Sequence, residues 1–499
     1  MDLDTLLSFS WHAMVPEFII LGTATLLSLL DLFLPRSFHR KWLGWLGVGS
    51  IVAALIFLLT LIGDTPFAIL YDTFRLDSFA IAFKLVLLVA AGFVLLLAIS
   101  YEPKEELTEF RGEFFYLFLV ALLGAMIMSS SADLITLFVG LELMTLSSYI
   151  LVGIRKKHLP SNESAMKYVI NGGIATAITL FGMSYLYGIA GTTNILEMAG
   201  RLQELTNTQH LFLLALAFLM ILVGLAFKIA AAPFHMWTPD VYEGAPIPVT
   251  AFLSIISKAA GFILIIRMFI TVFYHIPDMS NNSSLLMALQ NFLAVLAAVT
   301  MIWGNLVALR QTKIKRMLAY SSIAHAGYLL VAVTAFSAFM VETIWFYLTA
   351  YLFMTIAVFS LLQLMNIEEL KQLSGLSKRA PLLAVALALT MLGLAGIPGT
   401  SGFIGKLNIF LGALSTEPTH YLLAVILIAT TVISYIYYFK LIIYAFFREA
   451  NHNFQMSGKK LNGIIISICV MMTVLLGVFP QLAYDFLHQN FLSFYDFLQ

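Results

Sequence analysis

Apolar residues run along this chain in blocks of about twenty, with charged residues gathered between them. A block of that length, wound as a helix rising about 1.5 Å per residue, crosses a hydrocarbon layer roughly 30 Å thick. Inside such a layer every backbone N–H and C=O must bond within its own segment, so each block predicts a helix. Blocks fall near 16–34, 43–63, 78–100, 114–130, 132–153, 164–190 and 211–232. Others follow near 245–270, 285–309, 316–336, 341–364, 381–414, 422–447 and 461–480. The junction at Ser129–Asp133 is very tight, and the block 381–414 is long and interrupted. The first block has no basic leader or small-residue cleavage site, so it is read as a span and not as a removable signal. The fold class expected is an all-α polytopic membrane protein of about 14 transmembrane helices.

Composition agrees and narrows the possibilities. Hydrophobic residues make up 61% of the 499 positions and charged residues 11%, too few polar side chains to cover a water-soluble fold. The net charge of zero gives no indication of a nucleic-acid partner. The single cysteine, Cys469, excludes a disulfide framework, a thiolate-ligated iron–sulfur cluster and a Cys-rich zinc site. Neither a dinucleotide fingerprint nor a P-loop is present, so redox chemistry linked to this protein is expected in another chain.

Basic residues orient the spans. Loops after odd-numbered spans carry eighteen, from Arg36 and Lys104 through Arg155, Lys156 and Lys157 to Lys460; the other side carries three, Arg75, Arg201 and Arg267. The positive-inside rule then puts the odd loops in the cytoplasm and both termini outside it. Six lysines lie within or beside spans. Lys84, Lys167 and Lys440 are near span ends and are expected to snorkel to the surface. Lys228, Lys258 and Lys406 are not, and a lysine in mid-membrane costs at least a few kcal/mol unless it faces protein or water. Glu142 joins them, in the middle of LFVGLELMTLSSYIL. The bland reading is structural ion pairing inside the bundle; the functional one is a proton or ion path.

Helix breaks favour the second reading. Lys228 precedes Pro233 in GLAFKIAAAPFHMWTPD, and Lys406 follows Pro398 in LAGIPGTSGFIGKLNIF. Irregular backbone at membrane depth is tolerated where it lines a cavity or is covered by protein. The two interrupted spans, 7 and 12, are five apart, and a repeat of odd span number must be inverted in its second copy. Inverted repeats with matching broken helices are a transporter pattern. The expected organisation is an N-terminal three-span segment (1–113), a first five-helix repeat (114–270), a second, inverted one (285–447) and a C-terminal span and tail (448–499). In span 10, Ser321, His325 and Tyr328 share one helix face, and His325 is a candidate relay group.

Three blocks carry a resemblance: FKIAAAPFHMWTPDVYEGAPIPVTAFLSIISK, IKRMLAYSSIAHAGYLLVA and LGLAGIPGTSGFIGK. Together they resemble the antiporter-like membrane subunits of respiratory complex I (NADH–quinone oxidoreductase) and of multisubunit cation/proton antiporters. The similarity extends over essentially the whole chain and is greatest to the subunit-N branch. Lys406 stands where the subunit-M branch usually has glutamate. By that resemblance Glu142 and Lys228 would form the input site, Lys258 a connecting lysine, His325 the relay and Lys406 the exit. The resemblance implies a proton-translocating subunit in a bacterial plasma membrane. It would lie beside a neighbouring antiporter-like subunit and other membrane subunits, within the lipid bilayer. No cofactor or metal is expected in this chain; NAD, FMN, iron–sulfur clusters and quinone would belong to partner subunits.

At an effective dielectric near 20, two charges about 4 Å apart interact by roughly 4 kcal/mol, so moving Glu142 relative to Lys228 would control that lysine's proton. Three rivals remain open: a stand-alone sodium/proton antiporter subunit, a structural subunit with a dead path, and a haem-bearing redox protein. Retained mid-membrane charges weigh against the second, and the lack of facing histidine pairs weighs against the third.

Overall fold

The computed structural model describes residues 8–35, 38–101, 111–204, 208–277, 283–417, 419–449, 459–491 and 494–498. Arg36 and Lys104, which contribute to the basic-residue asymmetry, lie outside the described residues. Among the described residues, 13 helices are long and apolar enough to cross a membrane, and two shorter apolar helices, Pro381–Ala395 and Ser401–Leu414, fall in the interrupted block 381–414. The protein is therefore an all-helical polytopic membrane protein, as the apolar blocks predict.

Small residues set the closest approaches. Spans 4 (Arg111–Ser130) and 5 (Leu134–Val152) pack so tightly that a Cβ on Gly124 would lie 2.6 Å from the Gly140 carbonyl oxygen. Spans 9 (Gln290–Ala308) and 10 (Ile314–Ala335) repeat this, since a Cβ on Gly304 would lie 2.6 Å from the Ala324 nitrogen. Lipid supplies no hydrophobic drive between helices, so close backbone contact of this kind is what holds them together. At the centre stands span 8, whose residues Pro248 to Phe273 are all buried. It carries two π-helical turns, Leu253–Ser257 and Phe269–Phe273, and the first directly precedes Lys258. A π turn rotates the rest of the helix about its axis, so it re-aims the side chains beyond it, Lys258 first among them.

Two features were not anticipated from the sequence. Phe67–Ile69 pairs antiparallel with Phe74–Leu76 in a short hairpin between spans 2 and 3. The C-terminal helix Gln481–Asn490 is followed by a turn in which Asp496 accepts a hydrogen bond from the Ser78 amide at 2.7 Å. That turn covers the start of span 3, Ser78–Ser100.

Lys84 corrects an expectation. It does not snorkel; it is fully buried and pairs with Glu17 of span 1, Val15–Phe33, at 2.5 Å. Its ammonium also lies 4.8 Å from the centre of the Phe74 ring. The sequence places Lys84 within reach of the surface, but span 1 and the hairpin cover that face. Arg267 is held likewise, by a bidentate pair with Asp77 at 2.8 Å and by the Ser129 carbonyl. Breaking a buried pair by removing one partner typically costs about 3–5 kcal/mol, because a bare charge is left behind. Lys167, by contrast, is partly exposed and bridges Glu163 and Asp240.

Candidate functional site

The helix of span 7, Thr208–Lys228, ends at Lys228. The chain then leaves helical geometry, with Ala230 at a φ of +61°, before the short helix Thr238–Gly244. An L-residue in that conformation carries a penalty of order 1–2 kcal/mol, so the surroundings must hold it. They do so through hydrogen bonds: Trp237 Nε1 donates to the Phe227 carbonyl at 3.1 Å, and the Ala232 amide donates to Thr300 Oγ1 at 3.0 Å. The broken backbone is thus satisfied by protein, the condition under which such a break persists in a membrane.

Lys228 is buried, and its Nζ donates to Thr145 Oγ1 at 2.8 Å. Thr145 is on span 5, three residues past Glu142 and so on the same helix face. Glu142 and Lys228 form no direct ion pair in this structure, and Glu142 Oε1 is buried without a hydrogen-bond partner. The two charges share a neighbourhood with a threonine between them.

Lys258 is buried on span 8, where its ammonium donates to the carbonyl of Ser322 and, at 2.5 Å, to Ser322 Oγ. It also sits 4.9 Å from the centre of the Tyr351 ring. Ser322 belongs to span 10, which also carries His325 one turn on. His325 is buried with both ring nitrogens occupied: Nδ1 bonds Tyr347 Oη at 2.6 Å and Nε2 bonds Tyr438 Oη at 3.0 Å. Tyr438 Oη also bonds Ser321 Oγ.

Span 12 is interrupted at Gly396 and Gly399, which take φ values of +82° and +90° that glycine adopts without strain. The first half-helix, Pro381–Ala395, ends there with free carbonyls. Lys406, in the second half-helix, reaches back to two of them, donating to Leu394 at 3.2 Å and Ala395 at 2.9 Å. Its ammonium stands 4.7 Å from the Tyr328 ring centre. The negative end of the half-helix dipole is the counter-charge here.

Near the span-10 start lies an ionic cluster. Arg316 bridges Asp240 at 2.7 Å and Glu243 at 2.9 Å, Lys167 reaches Asp240 at 2.7 Å, and Lys313 pairs with Glu243. Burial would raise both carboxyls, but bonds from Lys167 and Arg316 to Asp240, and from Lys313 and Arg316 to Glu243, hold them below the usual range. The cluster ties span 6, Leu159–Ala190, and the segment after the span-7 break to span 10.

Of the five residues singled out in the sequence, Lys228, Lys258, His325 and Lys406 are therefore buried, on spans 7, 8, 10 and 12, and Glu142 is partly buried on span 5. Their immediate partners were missed: Thr145, Ser322, Tyr347 and Tyr438. Thr145 could have been found from its spacing to Glu142; the two tyrosines carry no local signal, since they come from spans 11 and 13.

Fold and site together define a polytopic helical membrane protein with buried lysines bonded to neutral groups and two broken spans. Residues 131–434 match the family described as NADH:quinone oxidoreductase/Mrp antiporter, transmembrane, and the chain belongs to that family. It is 56% identical to the NADH-quinone oxidoreductase subunit N of Geobacillus sp. (strain WCH70), over 98% of this chain and 100% of that one. It is 55% identical to the subunit N of Anoxybacillus flavithermus over the full length of both. Among solved structures it resembles a chain of respiratory complex I from Thermus thermophilus with bound aureothin, at 30% identity and a TM-score of 0.79, covering 94% of this chain and 99% of that one. A chain of the Mrp complex from Dietzia sp. shares the fold, with a TM-score of 0.80 at 20% identity, over 98% of this chain and 100% of that one.

Proposed function

We propose that this chain translocates protons as a membrane subunit of an NADH–quinone oxidoreductase, driven by electron transfer in partner subunits. Protons would enter at Glu142 and Lys228, pass Lys258 and His325, and leave from Lys406. The observation that carries this reading is the set of three buried lysines, each bonded to neutral groups only, with a doubly hydrogen-bonded histidine between the last two. A purely structural charge is normally neutralised by a partner of opposite sign, as Lys84 and Arg267 are here. A lysine held by hydroxyls and carbonyls can give up its proton without stranding a bare carboxylate. The two halves, spans 4–8 and 9–13, would be inverted copies whose broken members are spans 7 and 12.

Isolation through a tag on this chain tests the assignment. Peripheral subunits bearing flavin and iron–sulfur clusters should co-isolate; recovery only of small membrane subunits would point to a cation/proton antiporter instead.

The proposed orientation has both termini outside the cytoplasm, on a bacterial plasma membrane. Lys156 and Lys378 are exposed at loops assigned to the cytoplasm, and Arg201 is exposed on the other side. Cysteines at Lys156 and Lys378 should react with an impermeant maleimide only in inverted vesicles, and one at Arg201 only in intact spheroplasts. The opposite labelling pattern would reverse the direction of the path.

A further inference from the structure

The imidazole of His325 is filled on both sides by tyrosine hydroxyls, one from span 11 and one from span 13. A neutral imidazole has one N–H donor and one bare nitrogen acceptor. One tyrosine must therefore accept from His325 while the other donates to it. Tyr438 continues the chain to Ser321 Oγ, and Ser321 precedes Ser322, which holds the Lys258 ammonium. Tyr347 lies on the other side of the imidazole, and its hydroxyl does not bond Lys406 in this structure. Its ring lies against Gly405, where any Cβ would fall 2.5 Å from Tyr347 Cδ2, and Gly405 precedes Lys406. Tyr347 and Tyr438 are both fully or almost fully buried.

We propose that Tyr438 and Tyr347 are proton-carrying residues, through which His325 receives its proton from the Lys258 side and delivers one to the Lys406 side. The inference rests on the relay reading above and adds two members to it. The proton balance closes without an ion left on any ring. Lys258 donates to Ser322 and not to Ser321, so a swing of its ammonium to Ser321 Oγ starts the transfer, after which the Ser321 and Tyr438 hydroxyls each pass their own proton onward as they receive another. The Tyr438 O–H bond breaks as Nε2–H forms, the Nδ1–H bond breaks, and Tyr347 oxygen takes that proton while releasing its own to the Lys406 amine, which must first swing from the Leu394 and Ala395 carbonyls to reach it. The net change is one ammonium lost at Lys258 and one gained at Lys406. His325 is left as the other tautomer, and the hydroxyls must turn back before a second proton can pass.

Replacing either tyrosine by phenylalanine removes the hydroxyl and keeps the ring. The measurement is NADH-driven proton uptake in sealed inverted membrane vesicles, with quinone reduction tracked in parallel and both normalised to the amount of assembled complex. Tyr438→Phe and Tyr347→Phe should each lower normalised uptake by at least about tenfold, near the level of His325→Ala. The double variant Tyr347→Phe/Tyr438→Phe should be no worse than either single one, since serial links fail together. Normal normalised uptake in both phenylalanine variants, with His325→Ala impaired, would overturn the tyrosine inference and leave the relay standing. So would variants that lose complex while the remainder pumps normally, because that marks a packing role. Normal uptake by His325→Ala would remove the relay itself, and the tyrosines with it.

Discussion

Lys406→Arg is expected to impair proton uptake about as severely as Lys406→Ala, by at least about tenfold, while the complex still assembles. The expectation comes from what surrounds the ammonium. Lys406 is buried and bonded to the Leu394 and Ala395 carbonyls, the exposed end of a half-helix, and no carboxylate pairs with it among the described residues. A dipole end favours the charged form but holds a proton less firmly than a carboxylate would. Such a lysine can both take and release a proton. Guanidinium keeps the charge and the donor groups yet does not deprotonate within a protein. If Lys406 served only to cap the half-helix, arginine would be tolerated and alanine would be harmful. Proton uptake in inverted vesicles, measured beside quinone reduction, separates the two; near-normal pumping by the arginine variant would take Lys406 out of the path.

The second large effect is expected at the entrance. Glu142→Gln and Lys228→Ala should each reduce normalised proton uptake by about tenfold or more, and the double variant should be no worse than the more damaged single. Here the structure modifies what the sequence led one to expect. Lys228 rests on Thr145 and not on Glu142, so the pair is apart in this conformation. Glu142 still has a buried, unpartnered oxygen, a costly state that closure onto Lys228 would relieve. Under the proposed function, coupling would come from alternation between the two arrangements and not from a permanent salt bridge. Losses in the double variant equal to the product of the single losses would mean that the two residues act independently, and the alternation would be discarded.

The sequence by itself determined the spans, because crossing a hydrocarbon layer is a one-dimensional requirement on length and polarity. Even the interrupted block 381–414 divides where Gly396 to Gly399 predict, into Pro381–Ala395 and Ser401–Leu414. It also singled out Glu142, Lys228, Lys258, His325 and Lys406, since a charge or histidine stands out against an apolar run. Lys84 marks the limit of that reading. Distance from a span end suggested a lysine reaching water, but exposure depends on which helices pack around it. Span 1 and the hairpin at Phe67–Leu76 cover Lys84 and supply Glu17 instead.

Only the tertiary structure decided the partners. Lys228 meets Thr145 across 83 residues of chain, Lys258 meets Ser322 across 64, and His325 meets Tyr438 across 113. A tyrosine in an apolar helix looks the same in sequence whether its hydroxyl faces lipid, a carbonyl or an imidazole. The π turn before Lys258 is equally silent, since Leu253–Ser257 contains no glycine or proline to mark it. Polarity along the chain is a local property and fixes where the membrane is crossed. The hydrogen bonds that could pass a proton depend on which helix faces which, and packing alone sets that.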